Sequence, residues 1–159
     1  MSNRHEYEFV DLGLPSGTLW ATCNVGAKES EDYGEYFAWN EDKGNIGVVA
    51  DVIYGWHTPT DEEWDELIQN TEDVWNMRNG IYGRLFKANN GQSIFLPASG
   101  YRSKTGLIKD VGVEGNYWSS SLFDGPGIAY SLHFFTAFSA VVSDDMTFGF
   151  SVRPVRSVE

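Results

Sequence analysis

Two hydrophobic periods run through the chain, and they divide it unevenly. In "TPTDEEWDELIQNT", Trp64, Leu67 and Ile68 fall at i, i+3 and i+4, the stripe by which an amphipathic helix covers a core. Thr60 followed three residues later by Glu63 is a capping box, in which hydroxyl and carboxylate each satisfy an orphan backbone N–H. Asp61, Glu62 and Glu63 then occupy the first turn, where the helix dipole favours negative charge. A helix is predicted there, and a second, short one around Ser30 to Ala38. Elsewhere the period is two. Tyr7 and Phe9 alternate with Glu6 and Glu8, and a second strand, Thr18 to Gly26, follows the turn Leu14 to Gly17. Further strands are predicted at Gly83 to Ala88, Ser93 to Pro97, Tyr117 to Leu122, Ala129 to Thr136, Ser139 to Ser143 and Gly149 to Val155. Turn chemistry separates them at Asn79-Gly80, Asn89 to Gly91, Ser99-Gly100 and Glu114 to Asn116. Pro154 has no N–H for a ladder, which puts the last strand at an edge or ends it.

The sum is one α+β domain spanning residues 1–159, without internal repeat or linker. Its length is enough for a single core. Aromatics at 15% and 17 glycines favour a turn-rich, β-containing fold over a helical bundle. Lys and Arg number 11 against 23 Asp and Glu, a formal charge of −12. That surface repels phosphate backbones and anionic lipid, so no nucleic-acid partner is expected. No run approaches the ~18 apolar residues of a membrane span, and "MSNRHEYEFVDLG" has no apolar core of a signal peptide. One cysteine, Cys23, allows no intrachain disulfide.

Catalytic patterns are missing. His5, His57 and His133 are isolated in sequence; H-E-x-x-H, C-x-x-C, EF-hand and G-x-S-x-G motifs do not occur. Asp144 and Asp145 are neighbours on a predicted strand and point to opposite faces, which argues against a carboxylate dyad. No catalytic residue, metal or cofactor is expected, and the chain is read as not an enzyme.

The blocks "VDLGLPSGTLWATCNVGA", "EDYGEYFAW", "TPTDEEWDELI", "SIFLPASGYR", "NYWSSS" and "FSVRPVR" resemble bacterial domains of the C-type-lectin fold. That group includes formylglycine-generating enzymes and the variable proteins of diversity-generating retroelements. The resemblance runs from about Val10 to Arg156. It implies two helices flanking small, mostly antiparallel sheets, with N- and C-terminal strands adjacent and a ligand-binding surface in the C-terminal half. "EDYGEYFAW" would be the first helix. The calcium-held sugar tripeptides E-P-N, Q-P-D and W-N-D of animal lectins are absent, and Cys23 lies at the wrong end for the enzymes' reactive cysteines.

The retroelement branch fits best. There a reverse transcriptase miscopies template adenines, chiefly in AAC or AAT codons. Such codons never become Lys, Glu, Gln, Met or Trp. Phe123 to Phe148 contains no Lys, Glu, Gln or Trp, with Met146 the single exception. On period two, Tyr130, Leu132 and Phe134 face inward while Ser131, His133 and Phe135 face out. Phe135, Phe138 and Phe148 among Ser, Thr, His and Asp resemble a paratope, with aromatic anchors between adaptable polar groups. The expected ligand-binding residues are Phe123, Asp124, Ser131, His133, Phe135, Thr136, Phe138, Ser143, Asp144, Asp145, Thr147 and Phe148. Their partner would be a protein or glycan on a cell surface, and the chain would sit on a phage virion or bacterial surface. The alternatives are an ordinary adhesin or structural module of the same fold, or a degenerate relative of the formylglycine-generating enzymes.

Overall fold

Thr60 and Glu63 close the capping box that their spacing announces. In the computed structural model, which describes residues 7–39 and 55–157, the Thr60 hydroxyl accepts from the Glu63 N–H at 3.1 Å. The Glu63 carboxylate accepts in return from the Thr60 N–H at 2.8 Å. Helix α1 (Asp61–Gln69) follows and buries Trp64 and Leu67. Thr71 ends it by turning its hydroxyl back onto the Leu67 carbonyl, at 2.7 Å.

Among the described residues thirteen strands accompany this helix. β1 (Phe9–Asp11), β2 (Leu19–Ala21) and β13 (Val155–Arg156) form one sheet in the order β1-β2-β13. β4 (Thr71–Arg78), β5 (Ile81–Ala88) and β6 (Ser93–Pro97) form a meander. A third sheet runs β11-β10-β9, from β9 (Gly115–Leu122), β10 (Ile128–Phe134) and β11 (Ser139–Asp145). The fourth, β3-β12-β7-β8, joins β3 (Phe37–Ala38), β7 (Tyr101–Arg102), β8 (Ile108–Lys109) and β12 (Gly149–Phe150). Every strand pairing within these sheets is antiparallel.

The fold class therefore differs from the α+β expectation of two helices flanking small sheets. Among the described residues 46% are strand and 7% helical, in one helix. "EDYGEYFAW" is not a helix. Gly34 takes a left-handed φ of +73° with Val25 and Asn24 packed against it, and Glu35 N–H is spent on the Val25 carbonyl at 3.0 Å. The segment leaves that turn extended, and Phe37 and Ala38 pair with β12. β4 was not expected from the sequence either, because its apolar residues Val74, Trp75 and Met77 do not share one face. The C-terminal strand is split: Phe150 ends β12, Ser151 bridges to Tyr117, and β13 starts only after Pro154.

Two apolar clusters hold the sheets together. Beneath α1, Trp64 and Leu67 pack with Trp20, Phe86, Tyr117, Leu132 and Phe134. Beside it, Trp118, Ala129, Phe150 and Val152 form the second cluster, with the Trp118 and Phe150 rings stacked at 4.2 Å. Their indoles are tied across sheets. Trp118 Nε1 donates to the Phe37 carbonyl at 2.7 Å, and Trp39 Nε1 to the Ser119 carbonyl at 2.8 Å. Arg153 is fully buried and bonds only to neutral oxygens: Asn24 Oδ1 (2.9 Å), Ala21 O (3.2 Å) and Phe95 O (2.9 Å). Among the described residues no helix is long and apolar enough to cross a membrane.

Candidate functional site

β10 carries the site because its two faces meet different neighbours. Its partners across the sheet alternate with it. Leu132 lies opposite Val141 and Tyr117, and Phe134 opposite Ser139 and Gly115. This face lies under α1. On the other face Ser131 lies opposite Val142 and Trp118, and His133 opposite Ala140 and Asn116. Near Ala129 that face is sealed by the Trp118 cluster. Towards His133 the seal ends, and a cleft of about 440 Å³ opens between this sheet and the β7–β12 sheet. Tyr101, Asp110, Glu114, Asn116, His133, Val142, Ser143, Asp144, Phe148 and Phe150 line it.

Hydrogen bonds fix the polar chemistry of the cleft. Asn116 Nδ2 donates to the Gly100 carbonyl (3.3 Å) and to Glu114 Oε2 (3.0 Å), so Oδ1 faces His133 Nδ1 at 2.9 Å. An amide oxygen only accepts, which places the imidazole proton on Nδ1. Nε2 has no hydrogen-bond partner among the described residues, and in a neutral ring of this tautomer it is a lone pair. Asp144 accepts from the Ser131 hydroxyl at 3.0 Å. Burial pushes its carboxyl above the ordinary aspartate value, opposed by the Ser131 bond and by His133 and reinforced by Glu114 and Asp145. Asp145 points away from it. The backbone N–H of Thr147, then the Thr147 hydroxyl and Lys104, draw its carboxyl down to about 2.

The sequence-predicted residues divide among several places. His133, Ser143, Asp144 and Phe148 line the cleft. Phe135, Thr136 and Phe138 form a ridge at the β10–β11 turn. The Phe135 and Phe138 rings meet edge-on at 4.6 Å, and Phe135 lies 5.8 Å from the His133 ring. Arg84 braces this turn: Nη1 donates to the Phe135 and Thr136 carbonyls at 2.8 and 3.2 Å while Nε pairs with Asp73 at 2.7 Å. Phe123 and Asp124 stand at the opposite end of the hairpin, Phe123 edge-on to Tyr130 at 5.2 Å. Asp145 and Thr147 border a separate depression with Pro126, Ile128 and Met146.

Ser131 is the correction. Expected on the outer face, it is fully buried, because that face is itself covered by Trp118 and Asp144. Tyr130, expected inward, is only half-buried. Sequence reasoning also missed Tyr101, Asp110, Glu114, Asn116 and Phe150, which complete the cleft from outside the Phe123–Phe148 segment. "EGN" read as a turn; in fact Asn116 already belongs to β9. Asp110 has the left-handed φ of 59° usual for a turn Asx, a signal of geometry and not of function.

His5 lies outside the described residues. His57 is engaged elsewhere, with Nε2 3.0 Å from Glu63. Among the described residues no group of three or more His, Cys, Asp and Glu is placed to hold a metal ion. What the cleft offers is aromatic rings and hydrogen-bond acceptors in one lining, an arrangement suited to binding. No protein-family model, curated protein or solved structure is matched by this chain.

Proposed function

We propose that this chain is a non-enzymatic ligand-binding protein whose binding face is the cleft around His133 together with the Phe135–Phe138 ridge. It would be the variable protein of a diversity-generating retroelement, carried on a phage virion or bacterial surface and reading a protein or glycan on a cell. One observation carries the reading. His133, Ser143, Asp144 and Phe148, all from a segment free of Lys, Glu, Gln and Trp, line one open cleft, while Leu132 and Phe134 beside them are core. A strand with one face packed and the other open can vary its open face without losing its fold.

The gene supplies the test. A near-copy of the Phe123–Phe148 coding segment should lie close by, and every mismatch should fall at a template adenine. Mismatches should gather at His133, Phe135, Phe138, Ser143, Asp144 and Phe148, with agreement at Leu132, Phe134 and the buried Ser131. Finding no second copy, or mismatches spread over all four template bases, would return the chain to an ordinary adhesin module.

A further inference from the structure

We infer that the cleft receives a basic side chain, lysine or arginine, presented by a protein partner. The inference rests on the reading that the cleft is the binding face, and names what that face takes. Its polar lining is almost wholly made of acceptors. Asp110, Glu114 and Asp144 supply carboxylates, and no lysine or arginine is among the lining residues. Asn116 Oδ1 faces His133 Nδ1, so in the neutral ring Nε2 is an acceptor, and the Asn116 amide donors are spent on Gly100 and Glu114. Among the described lining residues, the Tyr101 and Ser143 hydroxyls and, when its ring is protonated, His133 Nε2 are the side-chain groups left to donate. A ligand that fills the cleft must therefore bring donors.

The walls ask for a cation as well. Tyr101 and Phe148 stand edge to face at 5.5 Å, and Phe148 lies parallel to Phe150, so aromatic rings share the lining with the carboxylates. Aromatic faces attract ammonium and guanidinium groups. The molecule already shows this pairing at the rim, where Lys104 lies 5.7 Å from the Phe148 ring centre and 3.0 Å from Asp145. A saccharide needs donors and acceptors in similar number, and a phosphate needs cations; the lining provides neither.

A protein is favoured over a free polyamine by the rim. The segment that supplies Asp110 and Glu114 also exposes Leu107, Ile108, Val111 and Val113, each between 42% and 61% accessible. Exposed apolar side chains on the segment that supplies the pocket's carboxylates match a protein surface in which a basic residue has apolar neighbours. The overall charge of −12 steers such a partner towards the site.

The test is NMR of the whole chain with four capped tripeptides, Leu-Lys-Leu, Leu-Arg-Leu, Leu-norleucine-Leu and Leu-Glu-Leu. The two basic peptides should move the amide resonances of Asn116, His133 and Asp144, with the neutral and acidic ones at least about tenfold weaker, the factor of a lost charge-assisted hydrogen bond. Glu114→Gln, which keeps an acceptor for Asn116 Nδ2 at this half-buried position, should weaken the basic peptides about tenfold, and Asp144→Asn, which keeps an acceptor for Ser131, by a similar factor. If the norleucine or Glu peptide binds these residues as tightly, the cleft remains a binding face and the basic-side-chain inference falls. If no peptide moves them at millimolar concentration, the inference also falls, while the gene-copy test still judges the wider reading.

Discussion

Leu132 and Ser131 are adjacent in β10 and equally buried, yet the two faces they belong to are built on different principles. Under α1, Leu132 and Phe134 are held by shape. Phe134 stacks on Tyr117 at 6.1 Å and meets Trp75 edge-on, and its ring fills the place where Gly115 has no side chain. On the opposite face Ser131 is held by its bond to Asp144, and His133 by its bond to Asn116. Apolar packing seals a surface by contact alone. A hydrogen-bonded cover stops wherever its last partner is satisfied, and here it stops at the cleft. Burial of a strand's second face thus does not make it core; what covers it decides whether it can also open to a ligand.

The contrast is broken hardest at Phe134. Phe134→Ala should cost about 3–5 kcal/mol, the usual range for a fully packed phenylalanine. Gly115→Ala, which thrusts a methyl into the same ring, should cost about 1–3 kcal/mol. Denaturant unfolding measures both, and small losses in either would mean that this face is loosely packed.

Ser131→Ala probes the other face and should cost about 1–3 kcal/mol by leaving a partly buried carboxylate short of a donor. It also sharpens the electrostatics. Asp144 already titrates above its unfolded value, so the folded state takes up a proton more readily than the unfolded one. This group's contribution to stability therefore grows as pH falls through its folded pKa and is lost as pH rises through it. Removing the Ser131 bond should raise that pKa further and shift the window to higher pH. Carboxyl NMR titration of Asp144 in the two proteins reads it, and an unchanged midpoint would contradict the assigned hydrogen bond.

The smallest effect is expected at the ridge. Phe138 is 49% exposed, and Phe138→Ala should change stability by no more than about 0.5 kcal/mol. A melting temperature lowered as far as by Ser131→Ala would show that the ridge is a structural element.

How legible these faces were in the sequence follows from the same physics. Helix α1 was legible because its signals are local: Thr60, Glu63 and the Trp64–Leu67–Ile68 stripe all lie within one short segment. β6 was legible at both ends for the same reason, bounded by Asn89–Gly91 on one side and Ser99-Gly100 on the other. The proposed first helix failed because a single left-handed glycine, Gly34, and long-range pairing with β12 outweigh the local pattern. At the candidate site, period two correctly separated Leu132 and Phe134 from His133. It misplaced Ser131, since alternation assigns a residue to a face without saying what lies above that face. Asp110 and Glu114 were illegible because the β7–β8 hairpin and its following turn bring them to the cleft, and Asn116 because only the β9–β10 register sets it opposite His133.

Arg153 has a consequence for how the molecule comes apart. Its guanidinium takes acceptors from β2, from β6 and from Asn24, so a charge without a counter-ion is satisfied only while all three hold their places. Releasing one would leave a desolvated cation with an empty donor, which costs more than the bond that was broken. Partial openings that detach the C-terminal segment alone are therefore penalised. Backbone amides of β2, β6 and the Val152–Val155 stretch should exchange with solvent as one group, at a single opening free energy, although more than fifty residues separate neighbours in that set.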